Sequence, residues 1–406
     1  MTKHQLTGME VLELQELTDP ERPITYGVVK PGPEDPETGV IFIRGGDISN
    51  GTINEANLRT ITQEVSRPYA RTILRGGEVV MSLVGNPGEV AVVPDRLAGA
   101  NLARQAGLIA LRPEINAPYI KYYLMAPQGR GELFQRTQGA VQQVINLSDL
   151  KRVKVRLPAG QIQQRIANIL SAYDDLIENN RRRIQLLEQA ARLLYKEWFV
   201  HLRFPGHEHT QIIDGVPEGW EKKVLGDLCF EVRETVSPSA FEANTPYIGL
   251  EHMPRRSITL CEWGQAEQVT SSKHRFREGE ILFGKIRPYF HKVGIAFTDG
   301  VASSDAIIIR PVHSHLLPLV LMTTSSDGFV AVTAQQMKEG SKMPRADWKQ
   351  MQQYPVPLPP DGLLRAFNDF IDPILNQLKT LAFANQRLTK ARDLLLPKLM
   401  NGEVAV

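Results

Sequence analysis

The sequence predicts an α+β protein built from two modules with curved mixed sheets. The modules are separated by two long antiparallel coiled-coil helices and are related by a pseudo-two-fold internal repeat. Three observations in the 406 residues support this prediction. The chain repeats itself at an offset of about 200 residues, each copy contains short β-prone runs, and each copy ends in a long helix with a heptad pattern.

The internal repeat consists of four matches in the same order along the chain. Residues 75–82 (RGGEVVMS) resemble residues 277–284 (REGEILFG). The other matches pair residues 111–113 with 309–311, residues 153–158 with 353–359, and residues 14–17 with 225–228. Each match is weak alone, since Gly-Glu turns and Arg-Pro pairs are common. Together, at a nearly constant offset, they indicate a duplication.

The first part of each copy consists of short runs rich in Val, Ile, Leu and Phe, bounded by Gly, Pro, Asn and Asp. Runs of this length between turn-forming residues are typical of strands. The predicted strands are 40–43, 78–81, 90–93 and 108–111 in the first copy, and 246–249, 280–283, 293–296 and 306–309 in the second. We therefore expect the same mixed module twice.

The last part of each copy predicts a long helix. No Pro or Gly occurs from Gln161 to Phe199, and mostly apolar residues alternate at spacings of four and three. This heptad spacing is typical of a coiled-coil seam, and the two seams are natural partners. The seam positions are Ile166, Leu170, Tyr173, Ile177, Asn180, Ile184, Leu187, Ala191, Leu194 and Trp198 in the first helix, and Phe367, Ile371, Ile374, Leu378, Leu381, Asn385, Leu388, Arg392, Leu395 and Leu399 in the second.

Each seam has an asparagine near its middle, Asn180 and Asn385. A buried amide lowers stability but can fix the register of a helix pair. If the helices pair antiparallel with their midpoints aligned, the two side chains fall within about one turn of each other. The alternative, that both face solvent, stays open. Pro373 removes a backbone donor, so we expect the second helix to start or kink there.

Composition narrows the class of protein. A net charge of +2 gives no overall basic character, so any DNA-binding surface must be local. The two cysteines, Cys229 and Cys261, are too far apart for a metal knuckle and too few for a disulfide framework, which favours two buried thiols. The start of the chain lacks an apolar signal core, and no run is apolar enough for a membrane span. We expect a cytoplasmic protein.

The helices also carry a family resemblance. Residues 161–170 (QIQQRIANIL), 174–184 (DDLIENNRRRI) and 193–200 (LLYKEWFV) resemble the central conserved region of the specificity (S) subunits of type I restriction-modification systems. Residues 359–403, which close with PKLMNGE, resemble the C-terminal conserved region of those subunits. The second helix departs from the family's Glu-Asn-Asn pattern, since it has LAFAN at 381–385.

The resemblance implies a sequence-specific DNA-binding subunit without catalytic residues, cofactor or metal. Each of two target recognition domains would read one half of a split double-stranded target. The helices would be the spacer and the docking platform for two methyltransferase subunits, and restriction translocase subunits would join the full complex. The implied divisions are target recognition domain 1 at 1–158, the central helix at 159–202, a linker at 203–216, target recognition domain 2 at 217–358 and the C-terminal helix at 359–406.

Candidate DNA contacts follow from the chemistry of the major groove. Arg or Lys can pair with guanine and Asn or Gln with adenine, while further cations bind phosphates. Two loops per module present such residues. The alternative is that these are ordinary solvated loops and that Tyr289 and Phe290 lie in a core. The candidates are Arg104, Gln105, Gln138, Gln142, Gln143 and Asn146 in the first module, and Lys285, Arg287, His291, Lys292, Lys338, Lys342 and Arg345 in the second.

Motifs of enzymes that act on DNA are missing from the sequence. There is no Pro-Pro-aromatic methyltransferase motif, and Gly284-Lys285 is followed by Ile286 rather than by Ser or Thr. Residues 207–209 (HEH) lie in a Pro-Gly linker without helical metal-ligand spacing. A stand-alone nuclease and a coiled-coil scaffold for proteins alone remain the alternative functions.

Overall fold

The structure, a computed structural model, describes residues 10–135, 144–242, 244–335 and 344–406. The chain divides into two compact units. Unit 1 consists of Met1–Asp175 and Leu388–Val406, and unit 2 consists of Leu176–Arg387. Each unit therefore combines one α+β module with parts of both long helices.

Unit 1 is built on a four-stranded sheet with the order β2-β10-β7-β8, beside smaller sheets of order β6-β3-β9, β1-β11 and β4-β5. Its described strands are β1 (Glu10–Glu13), β2 (Thr25–Tyr26), β3 (Val40–Ile43), β4 (Ile48–Ser49), β5 (Thr52–Ile53), β6 (Arg59–Ile61), β7 (Val79–Ser82), β8 (Val90–Val92), β9 (Asn101–Leu102), β10 (Ala106–Ile109) and β11 (Lys154–Leu157). Its described helices are α1 (Gln63–Ser66), α2 (Ala117–Met125), α3 (Pro127–Phe134) and α4 (Leu147–Lys151).

Strand β7 lies between two cores. Val79 and Met81 belong to the cluster that also contains residues of α2, whereas Val80 belongs to the cluster on the opposite side of the sheet. Alternate residues of a strand point to opposite faces, so a run of apolar residues without alternation is expected where both faces are covered.

The chain continues through helix α5 (Gly160–Tyr195), which begins in unit 1 and ends in unit 2. In unit 2 the two five-stranded sheets have the orders β15-β24-β21-β22-β18 and β16-β20-β23-β17-β19, and β12-β13 and β14-β25 form pairs. The described strands are β12 (Ile212–Ile213), β13 (Val216–Pro217), β14 (Glu221–Val224), β15 (Cys229–Val232), β16 (Thr235–Val236), β17 (Pro246–Ile248), β18 (Thr259–Leu260), β19 (Gly264–Gln265), β20 (Lys273–Phe276), β21 (Ile281–Gly284), β22 (Val293–Ala296), β23 (Gly300–Ala302), β24 (Ala306–Pro311) and β25 (Pro355–Leu358). The described helices are α6 (Leu225–Leu228), α7 (Leu317–Thr324), α8 (Asp327–Gln335), α9 (Trp348–Met351) and α10 (Asp361–Met400), the last of which ends in unit 1.

The two units have the same order of equivalent elements, which confirms the internal repeat. Strands β7, β8, β10 and β11 correspond to β21, β22, β24 and β25, with the same antiparallel pairings. The strands predicted at 40–43 and 293–296 have the predicted bounds, and the others are shifted or resized by one to two residues at their ends.

One of the four repeat matches is wrong in register. Ile109 pairs with Val79 in β7, and Ile309 pairs with Ile281, its equivalent. Leu111 therefore corresponds to Pro311, rather than to Ile309 as the Arg-Pro match suggested. The shared Arg-Pro pair suggested the wrong alignment of the two copies. Strand pairing, and not the identity of a surface Arg-Pro pair, determines which residues are equivalent. The match of 14–17 with 225–228 is confirmed, since both segments form one short helical turn.

Both long helices are present, with 36 residues in α5 and 40 in α10. Helix α5 is followed by a π-helical turn at Lys196–Val200. Of the two alternatives predicted at Pro373, a helix start or a kink, the start is wrong, because the helix begins at Asp361 and continues through the proline. Buried residues on both sides, Phe367 and Ile371 before it and Leu378 after it, hold the helix against the core of unit 2. This packing offsets the loss of one backbone hydrogen bond.

The helices pair antiparallel in unit 2. Asn180 Nδ2 donates a hydrogen bond to Asn385 Oδ1 at 2.9 Å, and further along the pair the rings of Phe199 and Phe367 lie 4.9 Å apart. As residue numbers rise along α5 and the turn that follows it, the contacting residues on α10 have falling numbers. In unit 1, Arg392 donates to Asp174 at 2.7 Å, and the same direction brings the later part of α10 to the earlier part of α5.

The predicted seam positions lie mostly in the cores. The half-buried ones are Tyr173, Asn180, Ile184, Leu187, Leu194, Ile374, Asn385, Leu388 and Leu395, and the buried ones are Ile166, Leu170, Ile177, Ala191, Trp198, Phe367, Ile371, Leu378, Leu381, Arg392 and Leu399. Cys229 is buried and Cys261 half-buried, both as free thiols. Over the described ranges, no single helix is long and apolar enough to cross a membrane.

Candidate nucleic-acid interface

Two of the loop regions singled out in the sequence come together in unit 1. Arg104 and Gln105 form the tight turn between β9 and β10. The Leu83 amide donates to the Gln105 carbonyl at 2.7 Å, and the Ile145 amide donates to the Leu83 carbonyl at 3.0 Å. Val84 and Val144 also form an isolated β-bridge. The Arg104 turn and residues 144–146 therefore flank one short loop after β7.

The same arrangement occurs in unit 2. The Lys285 amide donates to the Asp305 carbonyl at 2.7 Å, and the Ala346 amide donates to the Lys285 carbonyl at 2.9 Å. Ile286 and Arg345 form the β-bridge that corresponds to Val84 and Val144. The loop after β21 and the segment around Arg345, which lie about 60 residues apart in the chain, are thus direct neighbours.

Five of the predicted contacts, Gln138, Gln142, Gln143, Lys338 and Lys342, lie outside the described residues. Of the others, Arg104, Gln105, Asn146 and Arg345 are exposed and Arg287 is half-buried. Arg345 also contacts Asp305 at 3.3 Å, and Asn146 stands at the start of α4. Exposed cations and amides at the rim of a rigid sheet are suited to contacts with DNA.

Lys285 and Lys292 are half-buried and hold the loop of unit 2 in place. Lys285 Nζ donates to the Ser304 carbonyl at 3.1 Å and lies 4.0 Å from Glu231, and Lys292 Nζ donates to the Leu250 carbonyl. Burial lowers the pKa of both ammonium groups. A cation that already donates to a backbone carbonyl is a weaker candidate for a base contact than a free one.

His291 is only 2% exposed. Its Nε2 donates to the Ser325 carbonyl at 2.8 Å, and burial lowers the pKa of the ring. In this conformation the imidazole supports the loop from inside and does not face the surface. Local sequence does not distinguish the two orientations, since a histidine between Phe290 and Lys292 has the same pattern whether it faces inward or outward.

Three features of this surface were missed in the sequence. Tyr289 is exposed beside Arg287, Arg255 stacks on the ring of Phe290 with its guanidinium carbon 4.1 Å from the centroid, and the turn at Ser304 and Asp305 occupies the place of Arg104 and Gln105. The repeat offset of 200 could have located that turn. Nothing in the sequence indicates that Arg255 reaches Phe290.

Within the described ranges, no group of three His, Cys, Asp or Glu side chains is placed to hold a metal ion. His207–His209 form a short 3₁₀ turn instead.

Comparison with solved structures defines the class of fold. The chain is similar to the type I restriction-modification system S subunit from M. genitalium, with a TM-score of 0.58 and 17% identity, over 98% of this chain and 97% of that chain. The predicted α+β fold of two modules and two long antiparallel helices is confirmed.

Comparison of sequences defines the family it resembles. Residues 29–189 match the family model of the type I restriction modification DNA specificity domain. The chain is 25% identical over 366 residues to the type I restriction enzyme MjaIX specificity subunit of Methanocaldococcus jannaschii. This match covers 86% of this chain and 82% of that protein. It is 31% identical over 169 residues to the EcoBI specificity subunit of Escherichia coli, 41% of this chain and 35% of that protein. The resemblance to type I specificity subunits is therefore confirmed.

Proposed function

We propose that this chain is the DNA specificity subunit of a cytoplasmic type I restriction-modification complex and has no catalytic site of its own. The observation that carries the proposal is the duplicated loop arrangement, in which Val84 and Val144 in unit 1 correspond to Ile286 and Arg345 in unit 2. Two equivalent sets of exposed polar loops suit a target made of two separate half-sites. The specificity domain matched at residues 29–189 supports the same role for the first module.

In this proposal residues 1–158 and 217–358 are the two target recognition domains. Residues 159–202 and 359–406 are the helical spacer and docking platform, and residues 203–216 are a linker. The DNA contacts come from the exposed residues Arg104, Gln105, Asn146 and Arg345 together with Arg287. Two methyltransferase subunits supply cofactor binding and catalysis, and restriction translocase subunits join the full complex.

The first test of this function is the map of methylated adenines in the host genome with the gene intact and deleted. We expect deletion to abolish methylation of one split motif with a fixed gap, on both strands. An unchanged map would contradict the proposal. Magnesium-dependent cleavage of DNA by the purified chain would instead support a nuclease.

We place the docking contacts at exposed leucines that occupy equivalent positions on the two helices. Leu193 is 62% exposed on α5 and Leu394 is 60% exposed on α10. Leu193 lies 33 residues after Gly160, the start of α5, and Leu394 lies 33 residues after Asp361, the start of α10. An exposed leucine adds little to folding stability. Its presence in both copies of a diverged repeat supports a contact with a partner, and two equivalent positions suit two copies of that partner.

Replacing Leu193 or Leu394 by Asp should reduce the number of bound methyltransferase subunits from two to one, and replacing both should abolish stable binding. A buried carboxylate without a partner costs several kcal/mol, so we expect affinity at each position to fall on the order of 100-fold or more. Native mass spectrometry of the co-expressed complex measures the stoichiometry.

Leu176→Asp is the matched control. Leu176 is 52% exposed on the same helix, but its counterpart one repeat later is Gln377, so its apolar character is not shared by the two copies. We expect two methyltransferase subunits to remain bound to this variant. Retention of both subunits by the double variant would exclude these leucines as docking sites.

A further inference from the structure

The loop after β21 differs from its counterpart in unit 1. Both loops close with the same hydrogen bond at 2.8 Å, from the Ser82 amide to the Glu89 carbonyl in unit 1 and from the Gly284 amide to the Lys292 carbonyl in unit 2. The loop of unit 2 is one residue longer. It contains Pro288–Phe290 as a 3₁₀ turn, which brings two adjacent aromatic residues to its tip.

This loop has a strained backbone. Unit 1 uses Gly85 and Gly88 at its positive φ positions, with φ of 94° and 89°. Unit 2 has Arg287 and His291 there, with φ of 49° and 54°. Side-chain-bearing residues in the left-handed region cost free energy that glycine would avoid, and such residues cluster at functional sites. A strained conformation of this kind persists only where surrounding contacts hold it.

Contacts from three directions support the strained loop. The His291 carbonyl accepts from the Arg256 amide at 2.9 Å, and its ring donates to the Ser325 carbonyl. Arg192 on α5 donates to the Ser325 carbonyl at 2.9 Å and to the Arg256 carbonyl at 3.2 Å. The base of the loop is therefore fixed on a long helix and on two neighbouring turns.

The tip combines an exposed aromatic ring with cations. Tyr289 is 54% exposed and packs edge-on against Phe290, with ring centroids 5.0 Å apart. The guanidinium carbons of Arg255 and Arg287 lie 4.1 and 5.9 Å from the centroid of Phe290. Phe290 thus orients two guanidinium groups beside Tyr289, where they suit a phosphate backbone. An exposed ring on a rigid, cationic loop suits a nucleobase.

We propose that Tyr289 is an aromatic wedge that unstacks a base step in the second half-site and stacks on the exposed nucleobase. The inference rests on the proposed DNA-binding function. It adds a contact that recognises how easily the DNA deforms at one base step, in addition to the contacts with base edges. Partial unstacking of a flexible step by an inserted side chain gives specificity without a base-edge hydrogen bond. Unit 1 has Asn86-Pro87 at this place and lacks the aromatic pair, so the wedge belongs to the second half-site alone.

The test uses the full chain assembled with its methyltransferase subunits and a duplex that carries the methylated motif. 2-Aminopurine at each adenine and pyrrolo-cytosine at each cytosine report unstacking, with the methylated adenines left unlabelled. We expect one position in or beside the second half-site to brighten with the wild-type chain and with Tyr289→Phe. Tyr289→Ala and Tyr289→Leu should lose that signal and bind about 5- to 150-fold more weakly, the range found for loss of base stacking.

Phe230→Ala is the control for a general loss of exposed aromatic surface. Phe230 is also exposed, but it pairs with Arg310 of β24 and is not part of the loop, and we expect wild-type affinity. Wild-type affinity of Tyr289→Ala, or weakened binding without unstacking at any position in the wild-type complex, would overturn the wedge. Failure of the wild-type complex to bind any split motif would instead overturn the proposed function.

Discussion

Replacing Asp174 by Ala should lower the free energy of unfolding of unit 1 by about 3 to 5 kcal/mol, the cost of breaking a buried ion pair from one side. Asp174 accepts hydrogen bonds from Lys121 at 2.8 Å, Tyr122 at 2.6 Å and Arg392 at 2.7 Å. Lys121 and Arg392 are buried. Without the carboxylate, two cations would be left in the core without their shared partner.

The pH dependence of this contribution follows from the pKa of Asp174. Burial alone would raise it, but the charge and hydrogen bond of Lys121, with hydrogen bonds from Tyr122 and Arg392, place it below its ordinary value of 3.8. A carboxyl with a depressed folded-state pKa stabilises the fold above its unfolded-state pKa. The difference between the wild type and Asp174→Ala should therefore be full at neutral pH and shrink as the pH falls below about 4.

Hydrogen exchange of the backbone amides of α2 measures this effect, because all four tryptophans lie in unit 2 and their fluorescence does not report on unit 1. Asp393→Ala is the control. Asp393 also pairs with Arg392, but it is exposed, so we expect a change below about 1 kcal/mol. Equal losses in the free energy of unfolding for the two substitutions would show that burial does not determine how much each carboxylate of this cluster contributes.

The repeat offers a stronger control. Unit 2 has apolar residues at the places that correspond to the charged ones of unit 1: Leu321 for Lys121, Leu375 for Asp174 and Ala191 for Arg392. All three are buried. Because well-packed apolar residues often replace a buried ion cluster without loss, the triple variant Lys121→Leu, Asp174→Leu, Arg392→Ala should be more stable than Asp174→Ala alone. A triple variant less stable than the single one would contradict this account.

Replacing Glu188 by Ala should lower the free energy of unfolding of unit 2 by about 3 kcal/mol, because buried donors would lose a charged acceptor. Glu188 Oε1 accepts from the amides of Ile258 and Thr259, both at 3.0 Å, and from the hydroxyls of Ser257 at 2.7 Å and Thr259 at 2.6 Å. Helix α5 thus fixes the start of β18, three residues after Arg256.

Tryptophan fluorescence during urea unfolding measures the effect of Glu188→Ala in unit 2. Glu188→Gln keeps an acceptor oxygen and should cost less than Glu188→Ala. The control is Glu178→Ala on the same helix, whose exposed carboxylate lies 3.9 Å from Arg181. We expect a change within about 0.5 kcal/mol there. A loss in Glu178→Ala as large as in Glu188→Ala would mean that the four hydrogen bonds do not explain the effect of Glu188→Ala.

Local patterns in the sequence determined much of the fold. Heptad spacing located both long helices, and β-prone runs between turn residues located strands such as Val40–Ile43 and Val293–Ala296. The repeat predicted two similar modules. These features are readable because periodicity and turn chemistry depend on neighbours within a few residues.

Only the tertiary structure decided which side chains of these elements are available. Helix α10 continues through Pro373, His291 is buried inside its loop, and Tyr289 is exposed. Lys121, Asp174 and Arg392 form one cluster. Asp174 and Arg392 are 218 residues apart in the chain. Burial and pairing of this kind depend on contacts between distant segments, and a local pattern carries no information about which distant residue will supply a partner or cover a side chain.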